Sequence, residues 1–123
     1  MFSFIFWAGA CGSSPTTPST PPVSETLTGT LSPTNSNVHQ FSAAAGGTLT
    51  ITLVSLTPPV TAVGLGLGAV SNGSCTLQYT NTPFTAGAIW TTTLAGQGTY
   101  CLVIYDIGYL TQDESYSIKI DHP

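Results

Sequence analysis

Gly47-Thr-Leu-Thr-Ile-Thr-Leu-Val-Ser-Leu56 opens with a strict alternation: Leu49, Ile51 and Leu53 fall on one side of an extended chain and Thr48, Thr50 and Thr52 on the other. Such a period of two marks a strand with one buried face, because successive side chains of extended backbone point to opposite sides. Threonine suits the wet face. It is β-branched, which favours extended backbone, and its hydroxyl can face water. The alternation returns near the end of the chain, where Tyr116, Ile118 and Ile120 alternate with Ser115, Ser117 and Lys119. Thr26 to Leu31, Val38 to Ala43, Val63 to Val70, Cys75 to Thr80, Ala88 to Leu94 and Thr99 to Ile107 read as further strands, about eight in all. Turn chemistry separates them: Pro33-Thr-Asn-Ser-Asn37, Ala45-Gly-Gly47, Pro58-Pro59, Ser71-Asn-Gly73 and Gly96-Gln-Gly98. No segment sustains a helical period. The reading predicts an all-β domain, an antiparallel β-sandwich or jelly roll. Phe41, Leu49, Ile51, Leu53, Leu102, Ile104, Tyr116 and Ile118 should form its core. Tyr100-Cys-Leu-Val-Ile-Tyr105 is apolar on both faces, which predicts a strand central to its sheet or covered on both sides.

A family likeness rests on the same segments. Val38-His-Gln-Phe41, Gly47-Thr-Leu-Thr-Ile51, Gly98-Thr-Tyr-Cys-Leu-Val-Ile-Tyr105 and Ser115-Tyr-Ser-Ile-Lys-Ile120 follow one another as in the bacterial pre-peptidase C-terminal (PPC) domain, which the chain resembles from about residue 26 to 121. The resemblance implies a compact β-sandwich without catalytic activity of its own. Many such domains carry an acidic Asp-x-Asp-Leu pattern in the middle strand, where this chain reads Val63-Gly-Leu-Gly-Leu-Gly68. A calcium role is not carried over, because calcium needs several hard oxygen ligands. The glycine run also lacks the G-x-G-x-x-G spacing of a nucleotide site, and it reads instead as a bulge or a close backbone approach.

Ahead of the strands the chain changes character twice. Met1 to Ala10 is apolar and ends in small residues before Cys11, and Gly12 onward is a Pro/Ser/Thr tract with Pro15, Pro18, Pro21 and Pro22. This resembles a bacterial lipoprotein: an export signal over residues 1–10, lipid attachment at Cys11, and a tether over residues 11–26. A tether of that composition is extended and semi-rigid, spanning up to roughly 45 Å. The apolar run is too short to cross a membrane as a helix, which takes about 20 residues. The folded domain then occupies residues 27–121, and the protein is expected in the cell envelope, anchored to a membrane through lipid.

Export also bears on the other cysteines. With Cys11 taken up by lipid, Cys75 and Cys101 remain to form a disulfide, as small domains in oxidising compartments commonly do. The alternative is a pair of buried free thiols.

Charge excludes several functions. One basic residue and five acidic ones give a formal net charge of −4, and no Asp, Glu, Lys or Arg lies between Thr26 and Tyr105. Phosphate-tracking nucleic-acid binding therefore has no basis, nor does attraction to anionic lipid. Catalysis finds no constellation. His39 and His122 are the only histidines; the first reads as an exposed strand residue and the second as part of a fraying end. No Gly-x-Ser-x-Gly elbow exists, so no catalytic residue is assigned, and no cofactor is implied. Asp106, Asp113 and Glu114 are the acids available for a calcium loop, in a composition equally typical of a solvated turn.

Two functions from different classes remain. One is an interaction or structural module that contacts an unknown protein partner. The other is carbohydrate binding, with Trp90, Tyr79, Tyr105 and Tyr109 as a stacking platform; core or edge filling is the plainer role for each.

Overall fold

The structure, a computed structural model, describes residues 22–123. Cys11 and the export signal lie outside them, as does the tether up to Pro21. Among the described residues there are eight strands: β1 Val23–Leu31, β2 Ser36–Ala43, β3 Gly47–Thr57, β4 Val63–Ser71, β5 Ser74–Phe84, β6 Ile89–Leu94, β7 Gly98–Tyr105 and β8 Glu114–His122. The alternation in β3 and β8 survives as alternating burial, so the period of two places their side chains as expected.

Two four-stranded antiparallel sheets face each other, the first in the order β1-β8-β3-β6 and the second in the order β2-β7-β4-β5. The pairs β4·β5, β3·β6, β2·β7 and β1·β8 are those of one long hairpin rolled up on itself. That is the jelly-roll arrangement. Asn72 and Gly73 form the hairpin tip with φ of 53° and 78°, the doubly left-handed geometry that an Asn-Gly pair adopts between twisted strands. All eight residues expected in the core are buried there, joined by Leu31, Val63, Leu65, Leu67 and Ile120 among others. Each fully buried Leu or Ile contributes about 1.5–3 kcal/mol. β7 is central and also covered outside, with Cys101 and Val103 buried.

Some boundaries move. β1 begins at Val23, inside the stretch read as tether, because Val23 to Thr26 pair with Lys119 to His122 of β8. The chain end is correspondingly tied down. His122 is 2% exposed, against the fraying expected of a penultimate residue. Its Nε2 lies 2.5 Å from Glu25 Oε2, its Nδ1 donates to the Pro123 carbonyl, and its ring packs on Phe41. Ala44 N–H donates to the same Pro123 carbonyl.

His39 is likewise not a free surface residue. Gly29 has no side chain, which leaves room for Tyr116 to cross β1; a Cβ there would sit 2.5 Å from the Tyr116 hydroxyl. Asn37 Nδ2 donates to Tyr116 Oη at 3.0 Å and to Thr30 O at 2.8 Å, and Tyr116 Oη lies 2.6 Å from His39 Nε2. Partial burial lowers the His39 pKa below its ordinary value. The network closes the open seam between β1 and β2.

Candidate functional site

The outer face of the second sheet is built by an alternation of its own. Leu65 and Leu67 of β4 enter the core, which turns Gly64, Gly66 and Gly68 outward. In β7, Leu102 and Ile104 enter the core while Cys101, Val103 and Tyr105 turn outward. Register then makes three rows: Tyr105 beside Gly64, Val103 between Gly66 and Val38, and Cys101 between Gly68 and Gln40.

Each glycine admits something that a side chain would exclude. The Tyr105 ring lies across Gly64, and its hydroxyl reaches Thr82 on β5 at 2.7 Å. Leu77 folds over Gly66, its Cδ2 at 2.9 Å from where a Cβ would stand. At Gly68 the occupant is backbone: the Thr76 carbonyl comes closer than any real Cβ would tolerate. The register of β4 against β5 shifts twice, between Val63 and Leu65 and between Leu67 and Gly68. Bulge and close approach are both realised. The hairpin tip thereby curls over the sheet, and Cys75 bonds to Cys101 with Cα atoms 6.0 Å apart. The expected disulfide is present and lies on this face.

The result is a surface without any charged side chain, carrying Val38 (52% exposed), Leu77 (43% exposed) and the edge of Tyr105, and fixed from beneath by a disulfide. Sequence reading singled out Tyr105 and the two cysteines but missed Val38 and Leu77. The available signal was the spacing of the three glycines, which in a strand places all of them on one side.

The four aromatics proposed as a platform are not on one face. Trp90, on β6 of the first sheet, packs partly against the core. Tyr105 lies flat on the outer face of the second sheet. Tyr79 sits on β5 beside a pocket between the sheets, and Tyr109 is exposed in the loop before β8.

The acids are equally dispersed in role. Asp106 accepts from the backbone N–H groups of Thr34 (2.9 Å), Gly108 (2.8 Å) and Leu110 (3.2 Å), pinning two loops together. These bonds, that of Thr34 foremost, hold its pKa below the ordinary carboxylate value. Asp113 is exposed. Glu114 is 2% exposed, and its Oε2 has no hydrogen-bond partner. Among the described residues no three His, Cys, Asp or Glu side chains gather to hold a metal ion.

Burial raises the Glu114 pKa above its ordinary value of 4.5. The native state therefore holds this proton more tightly than the unfolded chain does. Its contribution to stability is fully present below pH 4.5 and is lost as pH rises through the raised value. Glu114→Gln should remove that pH dependence and, by removing the buried charge, leave the domain more stable than the parent at pH 7. Urea denaturation of both proteins between pH 4 and pH 8 checks this.

No family model and no curated protein matches the chain. Solved structures do resemble it. The periplasmic inhibitor of g-type lysozyme from Aeromonas hydrophila, PliG, aligns at 16% identity with a TM-score of 0.57, over 79% of this chain and 83% of that one. The mitogen derived from Yersinia pseudotuberculosis aligns at 16% identity with a TM-score of 0.59, over 83% of this chain and 87% of that one. At such identity the likeness is one of fold: this chain adopts a β-sandwich that nature uses in proteins of different roles.

Proposed function

We propose that the chain is a non-catalytic binding domain of the cell envelope, which docks a protein partner on the outer face of its second sheet. The carrying observation is the charge-free face on which Tyr105, Leu77, Val38 and the Cys75–Cys101 bridge are held in fixed register. Depletion of charge with aromatic enrichment is what distinguishes the core of a protein interface from ordinary surface, and exposed apolar side chains that cluster mark interaction sites. The inhibitor that shares the fold engages an enzyme, and this supports the reading by analogy only. The PPC-like strand sequence belongs to the same reading, as a scaffold without a peptidase of its own. So does lipid attachment at Cys11, which places the domain on a membrane at the end of its tether. Intact mass of the membrane-extracted protein tests the anchor, which fails if Met1 is retained and the Cys11 thiol is free.

The docking face is tested by substitution. In cells producing the full chain with an affinity tag, the double variant Val38→Asp, Leu77→Asp adds two charges at exposed positions without touching the core. Proteins recovered with the parent chain should be lost from the variant while its fold, read by circular dichroism, is kept. An unchanged set of recovered proteins would place the interface elsewhere.

A further inference from the structure

A second site lies on the other side of β5, where the two sheets stand apart. Its pocket, of about 60 Å³, is lined by Leu67, Gln78, Tyr79, Thr93, Leu94, Ala95 and Tyr100. Leu67 and Leu94, each 3% exposed, make the deep end apolar. Around the mouth stand the Gln78 amide and the Tyr79 ring, which is 57% exposed. The wall is fixed in advance: Tyr100 donates its hydroxyl to Gly96 O at 2.6 Å and stacks on Phe41. No formal charge lies on any strand that forms the pocket.

These features select a ligand chemistry. A group entering here must be uncharged, since nothing would balance a charge as water is displaced. It must end in a small apolar tip, because two leucines cannot satisfy a hydroxyl. Behind the tip it must carry polar atoms that both donate and accept, to meet the Gln78 amide. An acetamido group has this order, methyl first and amide behind. The pocket is too small to enclose a sugar ring, since sites that enclose whole ligands run to about 300 Å³ or more. The exposed Tyr79 ring offers a flat apolar surface outside for the ring's C–H face.

We propose that this pocket binds the acetamido group of an N-acetylated amino sugar within a neutral glycan, with the sugar ring resting on Tyr79. The site is independent of the protein-docking face, and of the four dispersed aromatics it uses Tyr79 alone.

Titration of the full chain with tetra-N-acetylchitotetraose and with cellotetraose, which lacks the acetamido groups, tests it. The acetylated tetramer should bind about tenfold more tightly, and amide resonances of Gln78, Thr93 and Ala95 should shift on binding. Tyr79→Ala should weaken binding about tenfold, and Gln78→Leu, which removes the amide, should weaken it too. Both positions are exposed, so the fold is retained. Val38→Asp, Leu77→Asp should leave sugar binding unchanged, which separates this site from the docking face. Equal binding of the two tetramers, no binding at millimolar sugar, or full binding by Tyr79→Ala would each overturn the proposal.

Discussion

Replacing Gly68 with alanine should destabilise the domain by about 3 kcal/mol, the upper end for over-packing a tight site. The added methyl would meet the Thr76 carbonyl and Leu77 Cα, and these are backbone atoms that no rotamer change can move. The β4–β5 hairpin would have to uncurl, drawing Cys75 away from Cys101. Gly64→Ala is the control, because its obstacle is the Tyr105 ring, a side chain that can swing aside. Urea denaturation should find Gly64→Ala less damaging by at least about 1 kcal/mol. Equal losses would mean that the hairpin tip does not approach as closely as the register shift at Gly68 implies.

Removal of the bridge, as Cys75→Ser, Cys101→Ser, should cost about 3.5 kcal/mol by the chain-entropy model for a sequence separation of 26. The bond connects strands that are not neighbours in the sheet, since β4 runs between β5 and β7. It therefore fixes the curl as well as shortening the unfolded chain. The two predictions are coupled through Gly68, which lies beneath the bridge. Gly68→Ala made in the serine background should cost less than in the parent, and a double-mutant cycle measures the difference. Strict additivity would show that curl and bridge are separate features.

The fold was legible wherever one face of a strand is wet. β3 and β8 could be read from alternation alone, and Leu49, Ile51, Leu53 and Ile118 are all fully buried as that alternation requires. The jelly-roll strand order was not legible, because period and turn chemistry say where strands lie and not which ones pair. The start of β1 was hidden behind the composition of a tether: Val23 to Thr26 carry no strong pattern, and β8 supplies their reason to be extended. His122 was misjudged for the same cause, since its burial depends on Glu25 and Phe41, both distant in sequence. At the candidate site, the cysteines and Tyr105 were visible as residue types. Val38 and Leu77 were not, because an aliphatic side chain on an outward position looks the same in sequence as one facing the core.

The docking site proposed for a protein partner is the charge-free outer face of the second sheet. A photo-crosslinking amino acid placed at position 38 or 77 of the full chain in its native cells tests it most directly, with positions 48 and 91, exposed on the first sheet, as controls. One and the same protein should be captured from positions 38 and 77, with no such product from 48 or 91. Capture from 48 and 91 alone, or from all four positions alike, would contradict it.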